Sequence, residues 1–202
     1  MHCPAGLLWC CLFLSACTAR VEPPTVPAER SVQIHLWEAG MHSGVILPLA
    51  DGRGVSYEYG EWSWVLERRN AWWRFFPAML WPSRGYLMRR EITDMDDAAA
   101  LIISIDVDRL WTIAVEAEQA RRLRARLLAR FRQHQSQSVP HHGHLAVPDD
   151  HAYHIIHNCN RVTGRWLRHL GCRVIGDGLS WNWTVQGVTP VTITRLADVG
   201  IR

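Results

Sequence analysis

Helical periodicity is confined to two stretches of this 202-residue chain, and much of the rest consists of short extended segments between turns. Residues 115–133 place apolar side chains three to four positions apart, with arginines over the opposite face. Residues 159–170 show the second helical pattern, which ends at Gly171. Because hairpin signals rather than regular βαβ units connect the extended segments, the sequence predicts an α+β fold.

Seven segments have the pattern of strands: residues 31–37, 42–49, 55–59, 85–91, 101–106, 153–157 and 191–194. Ala-Asp-Gly-Arg-Gly at positions 50–54 is typical of a hairpin turn between the second and third segments. Residues 134–150 are polar and rich in histidine, which predicts a loop. The composition is that of one ordinary globular domain, which we assign to residues 31–202.

The N-terminal residues have the features of an export signal. An apolar run too short to span a bilayer precedes Leu14-Ser15-Ala16-Cys17, which resembles the lipobox of bacterial lipoproteins. Residues 1–16 are then a signal peptide, and residues 17–30 are the lipidated Cys17 and a tether whose three prolines oppose sheet pairing. This arrangement implies a lipid-anchored protein of the bacterial cell envelope, on the periplasmic face of the outer membrane. The alternatives are a plain signal peptide or a buried helix.

The basic residues narrow the range of functions. All 22 are arginine, so the chain lacks the lysine that Schiff-base or Ser-Lys catalysis requires. They are spread along the sequence, and 19 acidic residues offset them, so we expect no nucleic-acid partner. No apolar run reaches the length of a spanning helix, which excludes a polytopic membrane protein.

Cys159 lies in the sequence His-Asn-Cys-Asn at the start of the second predicted helix. Asn158 is a favourable N-cap, so the thiol falls in the first helical turn, where free N–H groups and the helix dipole stabilise a thiolate. The same N–H groups can hold an oxyanion. A helix would separate Cys159 from Cys172 by roughly 20 Å, too far for a disulfide. Cys159 is therefore a candidate nucleophile, and a small buried core residue is the alternative.

A histidine and a carboxylate on the first predicted hairpin complete the candidate catalytic set. His42 begins its strand, and a neutral imidazole suits proton abstraction from a thiol. Glu58 on the pairing strand can orient that imidazole. A tight turn at residues 51–52 would place Glu61 opposite His42, whereas a shifted or bulged hairpin would place Glu58 there. Both carboxylates remain candidates at this point.

These motifs resemble the circularly permuted branch of the NlpC-type papain-like fold, over roughly residues 31–190. They are His-Ser-Gly-Val-Ile from position 42, Tyr-Glu-Tyr from position 57 and Asn-Cys-Asn-Arg-Val-Thr-Gly from position 158. Lecithin retinol acyltransferase and its bacterial relatives belong to that branch, in which the histidine comes first and the cysteine last. More closely, the chain resembles an uncharacterised bacterial envelope family, a domain of unknown function often found near urease genes.

The resemblance implies an antiparallel sheet packed on a Cys-bearing helix. It also implies that Cys159 is the nucleophile, His42 the base and Glu58 the third catalytic residue. Arg161 stands where lecithin retinol acyltransferase-like proteins carry a histidine, so the substrate does not carry over. The envelope location suggests a peptidoglycan peptide or a lipid acyl group.

Five tryptophans lie in residues 62–81. We expect this segment to form a flap over the site, with Trp62 and Trp64 contacting substrate together with Asn158. Core packing is the alternative for the tryptophans, and contact with a membrane surface or with sugar rings are two others. The histidines after position 140 lack the spacing of a zinc site, so we expect no metal and no cofactor.

Two classes of function follow from these residues. The first is a cell-envelope cysteine hydrolase or acyltransferase that acts at an amide or ester bond. The second is a non-catalytic envelope lipoprotein that uses the same fold to bind glycan or a protein partner. Thiol reactivity distinguishes them, because a catalytic Cys159 is alkylated quickly at neutral pH.

Overall fold

The computed structural model describes residues 18–69, 71, 73, 80–177, 180 and 182–192. The expected signal peptide and Cys17 lie outside these residues, as does most of the tryptophan-rich segment between residues 70 and 79. The described residues form a mixed α+β structure, so the predicted fold class is confirmed at this level. In this part of the chain, no helix has the length and apolar composition needed to cross a membrane.

The main sheet has eight strands among the described residues. They are β2 (Ser31–Ala39), β3 (His42–Pro48), β4 (Gly54–Glu61), β5 (Gly85–Ile92), β6 (Arg109–Glu116), β7 (Val139–His141), β8 (His144–Pro148) and β11 (Val191–Thr192). Their order is β11-β6-β2-β3-β4-β5-β8-β7, and all described neighbours in this sheet are antiparallel. The hairpin expected between residues 42 and 59 is therefore present as β3 and β4.

A smaller sheet joins the two ends of the described chain. It consists of β1 (Thr18–Glu22), β9 (Arg173–Ile175) and β10 (Asn182–Val185) in the order β10-β1-β9, and β1 runs parallel to β10. The described helices are α1 (Trp62–Val65), α2 (Ala98–Ser104), α3 (Ala117–Gln133) and α4 (Cys159–His169).

The alternation of side chains gives the main sheet two distinct faces. One face, with Val45, Tyr57 and Leu87, packs against apolar side chains of α3 and α4 in the largest core cluster. The opposite face packs Trp37 and Ile46 against α2 and the residues around it in a second cluster. Both predicted amphipathic helices therefore cover the same side of the sheet, and the opposite face is only partly covered by α2.

The tether predicted for residues 17–30 is wrong for its first part. Thr18–Glu22 is a strand of the smaller sheet, and Ala19 and Val21 have no exposed surface. The prolines explain the limit of this strand, because they begin only at position 23, where pairing ends. The folded domain therefore includes Thr18–Glu22.

Three other predicted segments differ from the structure. Residues 101–106, predicted as a strand, lie largely in α2, whose start is capped by the Asp97 carboxylate accepting from the Ala100 N–H at 2.9 Å. A short apolar run does not distinguish a buried strand from a helix, which explains the error. Residues 153–157 make only isolated bridges, because His157 N–H donates to the His154 carbonyl and closes a turn.

The histidine-rich segment is a hairpin rather than the predicted loop. β7 and β8 pair within residues 134–150, and His141 lies opposite His144. The two turn residues, His142 and Gly143, have φ angles of 46° and 77°. Two consecutive positive φ angles define the turn type that suits tight hairpins, so His142-Gly143 takes the place of the more usual Asn-Gly.

The N-terminal strand leads to a stability prediction. Val21→Ala should lower the free energy of unfolding by about 2 kcal/mol, because it removes buried methyl groups and leaves a cavity. Urea denaturation measures this change. Thr25→Ala, at an exposed position, should change the free energy by less than about 0.5 kcal/mol. Equally small effects for both variants would favour the tether interpretation instead.

Candidate active site

The register of β3 and β4 places Glu58 rather than Glu61 next to His42. The described pairs run from Gly44 opposite Glu58 to Pro48 opposite Gly54, one residue away from the register that favours Glu61. Glu58 therefore reaches His42 diagonally along one face of the sheet. The distance from His42 Nε2 to Glu58 Oε1 is 3.4 Å, with 26% and 13% of the two side chains exposed.

Glu61 has a structural role at the end of β4. Its carboxylate accepts hydrogen bonds from the backbone N–H of Trp64 and, at 3.0 Å, from the hydroxyl of Ser63. It therefore caps α1 and is engaged there. Of the two carboxylates, only Glu58 forms an ion pair with His42 among the described contacts.

Tyr86 is a residue of the site that the sequence analysis missed. Its hydroxyl donates to Glu58 Oε1 at 3.0 Å, and the side chain has no exposed surface. Its ring lies against Gly60 on the neighbouring strand, where an added Cβ would come within 2.6 Å of the ring. An isolated glycine inside a strand marks such a close approach, so Gly60 was the available signal.

Cys159 begins α4, as the sequence predicts. The Asn158 side chain accepts from the Arg161 N–H at 2.9 Å and donates to the Ile155 carbonyl at 2.9 Å, which fixes the start of the helix. Cys159 is 7% exposed, and its Sγ lies 3.6 Å from the Met41 carbonyl oxygen. The thiol therefore points toward the turn that leads into His42.

Asn160 holds the start of α4 on that turn, and the sequence analysis did not single it out. Its Oδ1 accepts from the Ser43 hydroxyl at 2.6 Å, while its Nδ2 donates to the carbonyls of Met41, at 3.2 Å, and Ser180. The two asparagines of Asn-Cys-Asn therefore have different roles: Asn158 caps the helix, and Asn160 joins it to the sheet. Buried amides with three such partners are strong determinants of position.

The pKa values of His42 and Glu58 are shifted by their interaction with each other, and Cys159 adds to the shift of His42. Burial lowers the pKa of His42, but the charge of Glu58 and hydrogen bonding to Cys159 outweigh it and raise the pKa to about 10. Burial also acts to raise the pKa of Glu58, but the charge of His42 and the hydrogen bonds from His42 and Tyr86 lower it overall. The structure therefore favours an imidazolium between a carboxylate and the sulfur of Cys159 at neutral pH.

Tyr153 is a second site residue that the sequence analysis did not identify as functional. Its hydroxyl lies 4.0 Å from Cys159 Sγ, and either atom could be the donor in this contact. A bridge to Ser83 fixes its backbone, with N···O distances of 2.9 and 2.8 Å. Burial and the nearby Cys159 raise the pKa of Tyr153, so the phenol stays neutral and can donate.

His42, Glu58, Tyr86, Tyr153 and Cys159 all line one cleft of about 330 Å³. Trp64 lines the same cleft, and its contact with a substrate stays a prediction. The two remaining predicted substrate contacts, Trp62 and Asn158, have other roles. Trp62 is 8% exposed and packs beneath the Arg84 guanidinium, 4.0 Å from its ring centroid. Asn158 forms the helix cap already described.

Cys172 provides a contrasting thiol within the same protein. Both Cys159 and Cys172 are free, which agrees with the prediction that a helix keeps them apart. Burial alone raises the pKa of Cys172 to about 12. Among the described residues, no group of three or more histidine, cysteine, aspartate or glutamate side chains is arranged to hold a metal ion.

Comparison of the chain with protein-family models, with curated proteins and with solved structures finds no match. The resemblance to the permuted NlpC-type branch therefore remains a prediction carried by the motifs around His42, Glu58 and Cys159.

The raised pKa of His42 gives a prediction that does not require a substrate. In Glu58→Gln the carboxylate charge is lost while burial remains, so the pKa of His42 should fall from about 10 by two units or more. Tyr86→Phe should lower it less, because the carboxylate stays. Imidazole NMR signals, assigned with a His42→Gln variant, measure both titrations. An unchanged His42 titration in Glu58→Gln would show that the pair is not electrostatically coupled.

Proposed function

We propose that this protein is a cysteine hydrolase or acyltransferase of the bacterial cell envelope that acts at an amide or ester bond. The observation that carries the proposal is the meeting of three groups in one cleft: a helix-initial thiol, an imidazole with a raised pKa, and a buried carboxylate paired with that imidazole. This combination of nucleophile, base and orienting group is the general arrangement of thiol catalysis.

The first half-reaction follows from the positions of these groups. The Cys159 sulfur attacks the substrate carbonyl carbon, and the negative charge passes to the carbonyl oxygen. The backbone N–H of Cys159 and the Tyr153 hydroxyl, which lie beside the sulfur, are suited to hold that oxygen. His42 then gives its proton to the departing amine or alcohol, and a thioester remains on Cys159.

The second half-reaction reverses the proton transfer. Water, or the hydroxyl or amine of an acceptor, gives its proton to the now neutral His42 and attacks the thioester carbon. The sulfur leaves as a thiolate, which restores the ion pair with His42. Glu58 supports both steps because its charge stabilises the imidazolium, and the Tyr86 hydroxyl keeps the carboxylate oriented.

The fold supports the same proposal at a coarser level. The nucleophile lies on a helix packed against an antiparallel sheet, and the histidine precedes the cysteine in the chain, as in the permuted NlpC-type branch. The cleft includes the apolar side chains of Ala39, Met41 and Val65, which suits an acyl chain or an apolar residue next to the reacting carbonyl.

The location in the envelope belongs to this proposal as well. It is supported by the apolar N-terminal run and the lipobox-like Leu14-Ser15-Ala16-Cys17. A lipid on Cys17 would anchor the domain with almost no linker, because β1 begins at Thr18. The substrate classes consistent with this place are peptidoglycan peptides and lipid acyl groups.

Alkylation of the two thiols tests the proposal. Iodoacetamide should label Cys159 at least about a hundredfold faster than Cys172 at pH 7, because Cys159 lines the cleft whereas the pKa of Cys172 is raised to about 12. Mass spectrometry of the peptides separates the two sites. His42→Ala should slow the labelling of Cys159 about tenfold or more, whereas His169→Ala, at the far end of α4, should not. Slow, equal labelling of both thiols would leave the non-catalytic binding lipoprotein as the better interpretation.

Tyr153 can be tested separately as an oxyanion donor. Tyr153→Phe should lower the turnover of an activated ester such as p-nitrophenyl acetate roughly a hundredfold. The alkylation rate of Cys159 should change little, since alkylation forms no oxyanion. A parallel loss of both rates would assign Tyr153 to the positioning of the thiol and contradict the oxyanion role.

A further inference from the structure

A second pocket lies next to the catalytic cleft on the opposite side of the His42–Glu58 pair. It has a volume of about 430 Å³ and shares both residues of that pair with the first cleft. The side chains that give it its character are basic or can become so: Arg90, His141, His142 and His144. The described acidic side chains that line it are Glu58, which His42 neutralises, and the exposed Asp106.

Sheet geometry brings these groups together. Arg90 projects from β5 on the same face as Glu58. Met88 lies opposite Glu58, and Arg90 is two residues further along β5, so it points to the same side of the sheet. His141 and His144 are opposite each other in the β7–β8 hairpin, next to β5. The pocket therefore depends on the hairpin that replaces the predicted loop, and its groups are held by regular structure.

Two hydrogen bonds in and beside the pocket join an arginine to an imidazole nitrogen. Arg90 Nη1 lies 3.4 Å from His144 Nε2, and Arg68 Nη2 lies 3.1 Å from His142 Nε2. Arginine can only donate, so each of these imidazole nitrogens accepts and carries no proton. Burial is the main cause that lowers the pKa of His141 and of His144; neighbouring basic groups add to it, and the charge of Glu58 acts in the opposite direction. A negative charge placed here would reverse this balance and recruit both arginine and imidazolium donors.

We propose that this pocket binds a carboxylate or phosphate group of the substrate whose acyl group reacts at Cys159. The inference rests on the proposed function and narrows it to anionic acyl compounds. Two arguments support it: the pocket is continuous with the catalytic cleft through His42 and Glu58, and its polar groups are chiefly donors or potential donors. A partly enclosed site with several such donors favours an oxyanion, which guanidinium and imidazolium groups bind by charge-assisted hydrogen bonds.

Two disulfide reagents of different charge test this site through Cys159 itself. The dianionic 5,5′-dithiobis(2-nitrobenzoate) and the neutral 2,2′-dithiodipyridine both form a mixed disulfide with a thiolate and release an aromatic thiol. In a Cys172→Ala protein, Arg90→Gln and His144→Gln should each slow the dianionic reagent about tenfold and leave the neutral one unchanged. Arg89→Gln is the matched control, because Arg89 neighbours Arg90 on β5 but lies on the other face and pairs with Glu91.

Competing anions distinguish the source of the charge. Inorganic phosphate and acetate are added to the reaction with the dianionic reagent, and the one that resembles the natural group should suppress its rate at lower concentration. Loss of this suppression in Arg90→Gln would support the site. Identical rate ratios for the two reagents in the wild-type and variant proteins, with no suppression by either anion, would overturn the inference.

The two proposals can fail separately. If Cys159 reacts slowly with both reagents, the catalytic proposal fails, and imidazole NMR then decides the anion site directly. Titration with phosphate or acetate should shift the signals of His141 and His144, and the shifts should be absent in Arg90→Gln. Signals that do not move in the wild-type protein with either anion would contradict the anion site, whatever the reactivity of the thiol.

Discussion

The site depends on the docking of one helix end onto one turn. Asn160 makes this junction, because its amide bonds the Ser43 side chain and two backbone carbonyls from separate parts of the chain. The Thr163 hydroxyl adds a second link, to the Ser43 carbonyl at 3.2 Å. Through these contacts a thiol on α4 meets an imidazole on β3, although α4 packs on one face of the sheet and His42 projects from the other. Catalytic geometry tolerates errors of less than about 1 Å, so such a junction matters more than the helix cap alone.

Glycines opposite aromatic rings set the positions of the remaining groups. An added Cβ at Gly44 would come within 2.5 Å of the Trp37 ring, whose centroid lies 5.6 Å from that of His42. The Trp37 indole N–H is in turn held by the Ser56 hydroxyl at 3.0 Å. Gly60 makes the same allowance for Tyr86, which holds Glu58. His42 therefore packs near Trp37, and Glu58 is hydrogen-bonded to Tyr86. Each of these rings fits because the facing residue on the neighbouring strand is a glycine.

Local chemistry explains which parts of this structure could be predicted. Some features depend only on residues that are close in the sequence, so short stretches of sequence predict them. They are the cap at Asn158, the helix that it begins and the hairpin around residue 52. The choice between Glu58 and Glu61 depends on a one-residue difference in register, which the ambiguous turn sequence left open. Tyr86 reaches the site through the pairing of two strands, and the isolated Gly60 was its only signal in the sequence. The contacts of Tyr153 with Ser83 and of Asn160 with Met41 and Ser43 join distant segments, for which the sequence contains no local signal. The β7–β8 hairpin was missed because His142-Gly143 is an unusual turn pair between short polar strands.

The charges around the catalytic cleft and around the neighbouring basic pocket suggest different roles for the two pockets. The His42 imidazolium is paired with the Glu58 carboxylate, so the first cleft has no excess positive charge with which to attract an anion. Extra cations placed in that cleft would compete with His42 for Glu58 and weaken the ion pair. Arg90, His141 and His144 lie instead beyond Glu58, on the far side of the pair from Cys159. Under the proposed function, they would hold the charged part of the substrate while the largely apolar first cleft receives the carbonyl and its acyl chain, so recognition and chemistry would act on different ends of one molecule.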